Sequence, residues 1–292
     1  MTKKTKKILM TGSGGFVGKN ILPYLRSNGF EVVAPRSKNF DFTDTAAVQN
    51  LLKQEKPDIL LLAGFYGIND VKNIAKDIYE VNLKIFNNFV DNFPSNKHIF
   101  TFGSGAEFNK AYPIIKAKES ELGKNIPQDL YGNAKYKISE EIKKHPNVYN
   151  LRLFGVYGPG ELESRFPTHA IKQNLAGQAI TIRQNVFFDY LWTSDLCKIV
   201  LEFLNNPPSE RFINLTPTKS ISLEEISNIV NEISPFKSQI ITAKSGLANE
   251  YSGDNTLLCQ LLPNLIFTTY KEGIKQLYQY LKNEVSLQPP QN

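Results

Sequence analysis

Two cysteines, Cys197 and Cys259, are too few and too far apart to staple a fold or build a thiolate zinc site. Such scarcity fits a reducing compartment, and a cytoplasmic location is expected. Histidine is nearly as scarce: His98, His145 and His169 are scattered, so no metal site is expected. No apolar run approaches the ~20 residues that a membrane-spanning helix needs, and no membrane partner is expected. Nor is a secretory leader, because the lysine-rich start Met1–Lys7 runs straight into the strand-like Ile8-Leu9-Met10. Repeats and low-complexity tracts are missing as well.

Acid is in slight deficit, leaving a net charge of +6. Nucleic-acid proteins concentrate such an excess in a stripe with interleaved aromatics. Here much of it comes from Lys3, Lys4, Lys6 and Lys7, read as a solvated tail, so nucleic acid is not an expected partner. A polyanionic small ligand would still gain from the field.

What is present is alternation. Strands are predicted at 7–11, 31–34, 59–63, 98–102 and 149–154, with helices at 15–28, 45–54, 74–92 and 130–144 between them. Asp44 is placed to cap the second helix, and Ser222-Leu223-Glu224-Glu225 to open a later one at 224–233 as a capping box. Prolines punctuate shorter elements after about residue 155. The expected architecture is α/β: a Rossmann-type doubly wound parallel sheet over 1–155, with a smaller C-terminal α/β substrate lobe over 156–292, partly interleaved with it.

The first strand ends in Gly12-Ser13-Gly14-Gly15-Phe16-Val17-Gly18, which opens a helix. Gly12 permits a tight turn, Gly15 lets backbone approach a pyrophosphate, and Gly18 allows close helix–strand packing. The helix start then offers free N–H groups to phosphate oxygens. A glycine turn alone is also compatible with a purely structural role. The second strand ends without the acid that usually binds an NAD ribose; Ala34-Pro35-Arg36-Ser37-Lys38 stands there instead. Arg36 with Ser37 suits a 2′-phosphate, which favours NADP(H), with NAD(H) the alternative and an exposed basic loop the plainer reading.

Tyr131 and Lys135 lie four apart on a predicted helix and share one face. An ammonium beside a phenol lowers the phenol's pKa, which suits proton exchange with a carbonyl while a hydride moves. The strand before that helix ends in Gly103-Ser104-Gly105-Ala106, at the carboxyl edge where open parallel sheets bind ligands. Ser104 there is a candidate partner for the reacting oxygen.

In this order, the pieces resemble the extended short-chain dehydrogenase/reductase family of nucleotide-sugar epimerases, dehydratases and reductases. Thr11 to Gly18 matches its T-G-x-x-G-x-x-G, and Leu151 to Pro159 its L-R-x-x-N-x-Y-G-P. The resemblance implies that Asp41 and Phe42 lie by the adenine, that Leu62, Ala63 and Gly64 wall the nicotinamide, and that Asn82 is the family's helix asparagine. It also implies a homodimer. The texture is similar to the GDP-fucose synthase branch, whose proton-shuttling cysteine position holds Ala106 here, while its histidine position holds His169. A methyl group cannot shuttle protons, so reduction without epimerisation is favoured. Dehydration is disfavoured, because Gly105-Ala106 replaces the family's Asp-Glu pair. Two further departures fall where relatives grip a nucleotide diphosphate: Gly155 replaces asparagine and Phe188 replaces arginine. Arg165, Lys172 and Arg183 are the nearby cations that can compensate.

The function expected is NADPH-dependent reduction of a keto-sugar, as a nucleotide-diphospho-4-keto-sugar, by Ser104, Tyr131 and Lys135. A 4-epimerase or epimerase-reductase holding NAD(H) is the same-class alternative. A non-catalytic NAD(P)-binding regulator is the different-class one.

Overall fold

A computed structural model of the chain describes residues 5–70 and 73–287. Lys3 and Lys4 lie outside the described residues. In chain order the first half comprises β1 (Lys7–Thr11), α1 (Phe16–Ser27), β2 (Glu31–Val33), α2 (Thr45–Glu55), β3 (Ile59–Leu62), β4 (Ile68–Asp70), β5 (Asn73–Ile74), α3 (Ile78–Val90), β6 (His98–Ser104), β7 (Ile114–Ala117), α4 (Leu130–Ile142) and β8 (Val148–Leu153). The second half comprises β9 (Gly155–Tyr157), α5 (Phe166–Leu175), β10 (Ile180–Asn185), β11 (Phe187–Phe188), β12 (Tyr190–Trp192), α6 (Thr193–Asn205), β13 (Phe212–Leu215), β14 (Ile221–Ser222), α7 (Leu223–Ile233), β15 (Ile240–Leu247), β16 (Tyr251–Gly253), α8 (Thr256–Leu261) and α9 (Tyr270–Leu287).

Six of these strands form one parallel sheet in the order β13-β8-β6-β3-β1-β2. Its strands are apolar on both faces, as a sheet covered on both sides requires. Side chains alternate along a strand, so Ile8, Met10, Leu61 and Phe100 pack on one side with residues of α1 and α6. Leu9, Leu60, Leu62 and Ile99 pack on the other, against α2, α3 and α4. The chain runs outward from β1 to β2, then returns to place β3 on β1's other edge. That reversal leaves a crevice at the carboxyl ends of β1 and β3, the usual ligand position in open α/β sheets.

A second core, built from α5, α7, α9, β10 and β12, holds Ile171, Ile180, Trp192, Ile226, Val230, Ile274 and Leu277. The chain crosses between the two bodies more than once. After β12 it re-enters the large sheet through α6 and β13, whose Ile213 and Leu215 join the first core. In the opposite direction β7 leaves the first half to pair with β16.

The predicted helix at 74–92 starts later than expected, at Ile78. Ile74 is part of β5, paired antiparallel with β4, and the Ala75 N–H donates to the Gly67 carbonyl. Loop closure thus takes up the first four residues of the predicted helix. The solvated-tail reading also needs correction for Lys6 and Lys7. Lys6 Nζ donates to the carbonyls of Leu204 and Asn205, which tie it to the end of α6. Lys7 pairs with Glu31 and Glu55 at 3.0 and 2.7 Å. The caps Asp44 and Ser222 form as expected, accepting from Ala47 N and Glu225 N.

Candidate active site

The glycine turn follows β1 with Gly12 in the left-handed region at φ 71°. A Cβ there would lie 2.5 Å from the Ala63 carbonyl carbon, so the turn sits against the end of β3. A Cβ on Gly18 would lie 2.1 Å from the Gly12 oxygen, which holds α1 close beneath the turn. Helix α1 starts without a side-chain cap and without acid in its first turn. Its leading N–H groups therefore remain available to an anion. The Arg36 guanidinium lies over the turn, with Nη2 2.6 Å from where a Gly14 Cβ would stand. Ser37 is exposed beside it.

Behind the turn, a cavity is lined by Thr11, Leu62, Ala63, Gly64, Phe65, Asn82 and Lys135, among others. The Asn82 carboxamide is already engaged: it accepts from Tyr66 N and donates to the carbonyls of Tyr66 and Ile78. It clasps the loop after β3. Of the adenine-side pair, Asp41 accepts from Thr43 N and Oγ1, and these bonds hold its carboxyl below the usual carboxylate range. Phe42 is buried in the core between β1, α2 and α3.

Ser104 closes β6, and Tyr131 and Lys135 lie on α4, which Asp129 caps through Gly132 N. Tyr131 lines a cleft of about 800 Å³ together with Ser104, Ala106, Gly155, Arg165 and Phe188. Lys135 faces the smaller cavity behind it. Successive turns of one helix thus address two adjoining chambers. The Ser104 hydroxyl and the Tyr131 phenol face the same cleft, close enough for the serine to act on the phenol's proton affinity. Burial raises the phenol's pKa, the Ser104 hydroxyl and Arg165 guanidinium oppose that rise, and the Glu107 carboxylate adds to it.

Lys135 acts differently from the expectation that it lowers this phenol's pKa. Its Nζ donates to the Phe102 carbonyl at 2.8 Å and lies 3.7 Å from the centre of the Phe65 ring. Burial brings the ammonium down to about 8, partly opposed by Glu107.

The far wall of the cleft is aromatic. Phe188 packs on Tyr190 and Tyr251 with ring centres 5.4 and 5.7 Å apart, and Phe154 meets Tyr251 at 5.3 Å. Gly155 is explained by crowding: a Cβ would lie 2.6 Å from the Asp189 carbonyl oxygen, which shuts out asparagine. Of the three candidate cations, Arg165 lines the cleft. Lys172 pairs with Glu163, and Arg183 is exposed on β10, away from the cleft lining. His169 does not join the lining either; its Nε2 meets the Thr181 hydroxyl at 3.3 Å.

Residues 8–215 match the NAD dependent epimerase/dehydratase family. The chain belongs to that family. Its members here are NAD(P)-dependent enzymes of the extended short-chain dehydrogenase/reductase type. The chain is 23% identical over 308 residues to a GDP-L-colitose synthase of Yersinia pseudotuberculosis, covering 95% of this chain and 98% of that one. Its fold is similar to a GDP-L-fucose synthetase from Naegleria fowleri solved with NADP (TM-score 0.81, 16% identity, 98% and 96% of the two chains). It is similar too to a GDP-mannoheptose C4 reductase from Campylobacter jejuni solved with NADP (TM-score 0.77, 19% identity, 97% and 100%).

Within this epimerase/dehydratase-family site, three buried groups were not foreseen. Glu107 sits fully buried one short helical turn after Ser104. It accepts from Ser104 N at 2.8 Å and from Arg152 Nε at 2.8 Å, while Ser104 Oγ accepts from Ala106 N. The S-x-x-E spacing was readable as a capping box. Asp189, also fully buried, accepts from Lys116 Nζ, Thr216 Oγ1, Ser220 Oγ and Gly253 N. No local spacing reveals that hub, since its donors come from three separate segments. Glu161 is buried with one oxygen bonded to Thr168, and burial pushes its carboxyl up to about 8.

Two measurements follow from these groups. Arg152→Met leaves Glu107 buried and unpaired and is expected to cost about 3–5 kcal/mol in denaturant unfolding. Adding Glu107→Gln should recover part of that loss; wild-type stability of Arg152→Met would contradict the pairing. For Glu161, the folded state binds its proton more tightly than the unfolded state does. Its contribution is present below the unfolded value of 4.5 and is lost as pH rises through about 8. Glu161→Gln should therefore flatten the wild-type decline in stability across that window in thermal melts at stepped pH.

Proposed function

We propose that the protein reduces a keto-sugar, carried on a nucleoside diphosphate, with NADPH. The observation that carries this reading is the meeting of the Ser104 and Tyr131 hydroxyls in the substrate-sized cleft, with Lys135 in the adjoining cavity. The uncapped start of α1, the open face of Gly15 and the Arg36 guanidinium over the turn fit a dinucleotide carrying a 2′-phosphate. When bound, the nicotinamide supplies the hydride. The relatives' names, a GDP-sugar synthase and a GDP-sugar C4 reductase, support a nucleotide-linked keto-sugar as substrate.

In this reading Tyr131 gives its phenolic proton to the carbonyl oxygen as that oxygen gains negative charge. Ser104 donates a hydrogen bond to the same oxygen, lowering the cost of the developing charge. Lys135 binds on the cofactor side, and its position at the Phe102 carbonyl ties α4 to β6. Of the three candidate cations Arg165 is the one in the cleft lining, and it meets the diphosphate, while the aromatic wall of Phe154 and Phe188 packs the sugar's apolar face. Epimerisation at a carbon next to the carbonyl would need proton shuttles beside the sugar, but Ala106 offers a methyl group and His169 lies outside the cleft lining.

Tyr131→Phe should lower kcat by roughly a hundred- to ten-thousand-fold, with NADPH binding retained. Near-normal turnover would refute the assignment. Arg36→Ala should weaken NADPH roughly 10- to 100-fold, the loss of one charge-assisted contact, while leaving NADH affinity nearly unchanged. Equal weakening of both cofactors in titration calorimetry would remove the 2′-phosphate assignment.

A further inference from the structure

Ser104 meets a second phenol besides Tyr131. The Tyr251 hydroxyl also approaches Ser104, from the opposite lobe, and both residues line the cleft. An ideal Cβ on Gly105 would lie 2.6 Å from the Tyr251 hydroxyl, so the glycine after Ser104 leaves the space that this phenol occupies. The ring is held by Phe154 and Phe188. Its strand is held as well: Asp189 N donates to the Tyr251 carbonyl at 3.2 Å, and Gly253 N donates to Asp189 Oδ2 at 2.9 Å. Buried Asp189 thereby anchors the strand that carries the phenol to Ser104.

A serine hydroxyl has one hydrogen and two lone pairs. The Ala106 N–H, 3.2 Å away, takes one lone pair. If Tyr251 takes the other, the single hydrogen has one useful direction left, toward Tyr131 and the space where the reacting oxygen must sit. We propose that Tyr251 is a positioning residue of the reduction: its phenol donates to Ser104 Oγ and thereby directs the Ser104 hydrogen at the substrate carbonyl oxygen. The inference rests on the reading that Ser104 and Tyr131 hold that oxygen. Tyr251 transfers no proton in it; burial raises its phenol's pKa well above the ordinary range, so it stays protonated.

Tyr251→Phe keeps the ring and removes only the hydroxyl. With a reducible nucleotide keto-sugar, kcat should fall about tenfold, the loss of one net hydrogen bond, with NADPH affinity unchanged. In a Ser104→Ala background the same substitution should cost nothing further, which a merely structural role for the hydroxyl would not produce. An unchanged kcat, or an equal loss in both backgrounds, overturns the proposal. NMR of protein labelled at tyrosine Cζ decides the link without any substrate. The Tyr131 resonance, assigned through Tyr131→Phe, should shift in Tyr251→Phe but not when Ser104→Ala is already present. No shift in the first case, or the same shift in both, overturns the link. If the wild type reduces no keto-sugar but the shift appears, the proposed function fails while the three-hydroxyl arrangement stands.

Discussion

Glu107 and Arg152 are both closed to solvent, and their 2.8 Å contact joins the ends of the central strands beneath Ser104. Two charges so placed are expensive to bury, and mutual attraction alone seldom covers that cost. Further bonds share the load. Arg152 Nη1 donates to Asn214 Oδ1, and Asn214 Nδ2 donates to the Ala117 carbonyl. Ser104 N donates to the other Glu107 oxygen. Strands β6, β8 and β13 and the end of β7 are thus linked through one buried ion pair. Its effect is positional: the chain leaving β6 must turn where Ser104 presents its hydroxyl to the cleft.

The two chambers meet at that turn. On one side the dinucleotide turn, the β3 end and Lys135 bound a cavity behind the sheet edge. On the other the second lobe brings an aromatic wall and Arg165 to the cleft. Helix α4 serves both, because residues four apart share a face yet stand one turn apart along the axis. Asp189 plays for the second lobe the part that Glu107 plays for the first. It gathers donors from β7, β16 and the segment after β13, fixing the wall that carries Phe188 and Tyr251. Loss of the usual arginine and asparagine is therefore a local rebuilding: Phe188 stacks in the wall, and Gly155 lets β9 and β12 approach closely.

Periodicity and punctuation carried five of the large sheet's six strands; β13, which returns from the second half of the chain, was not among them. Alternating apolar runs such as Ile59–Leu62 and the glycine turn after β1 were legible because their causes are local: side-chain alternation and a left-handed turn. The start of α3 was not, because the β4–β5 pairing that displaces it depends on a contact across the loop. Ser104, Tyr131 and Lys135 were legible from spacing and from their place at a strand end. How Lys135 acts was not, since its partner is the Phe102 carbonyl, a backbone group that no motif names. Arg165 could not be told from Lys172 and Arg183 by sequence, because an ion pair with Glu163 and the facing of β10 decide which cation reaches the cleft. Tyr251 and Asp189 left no local trace, as their partners are distant in the chain.

Hydride transfer to a nucleotide-linked carbonyl in the cleft can be followed by isotope. The direct measurement uses NADPH deuterated at the transferable position, with a panel of nucleotide keto-sugars and mass spectrometry of the products. NADPH consumption should be matched by a single deuterium on the former carbonyl carbon of one substrate class. Product formed without NADPH consumption and without deuterium would contradict that transfer.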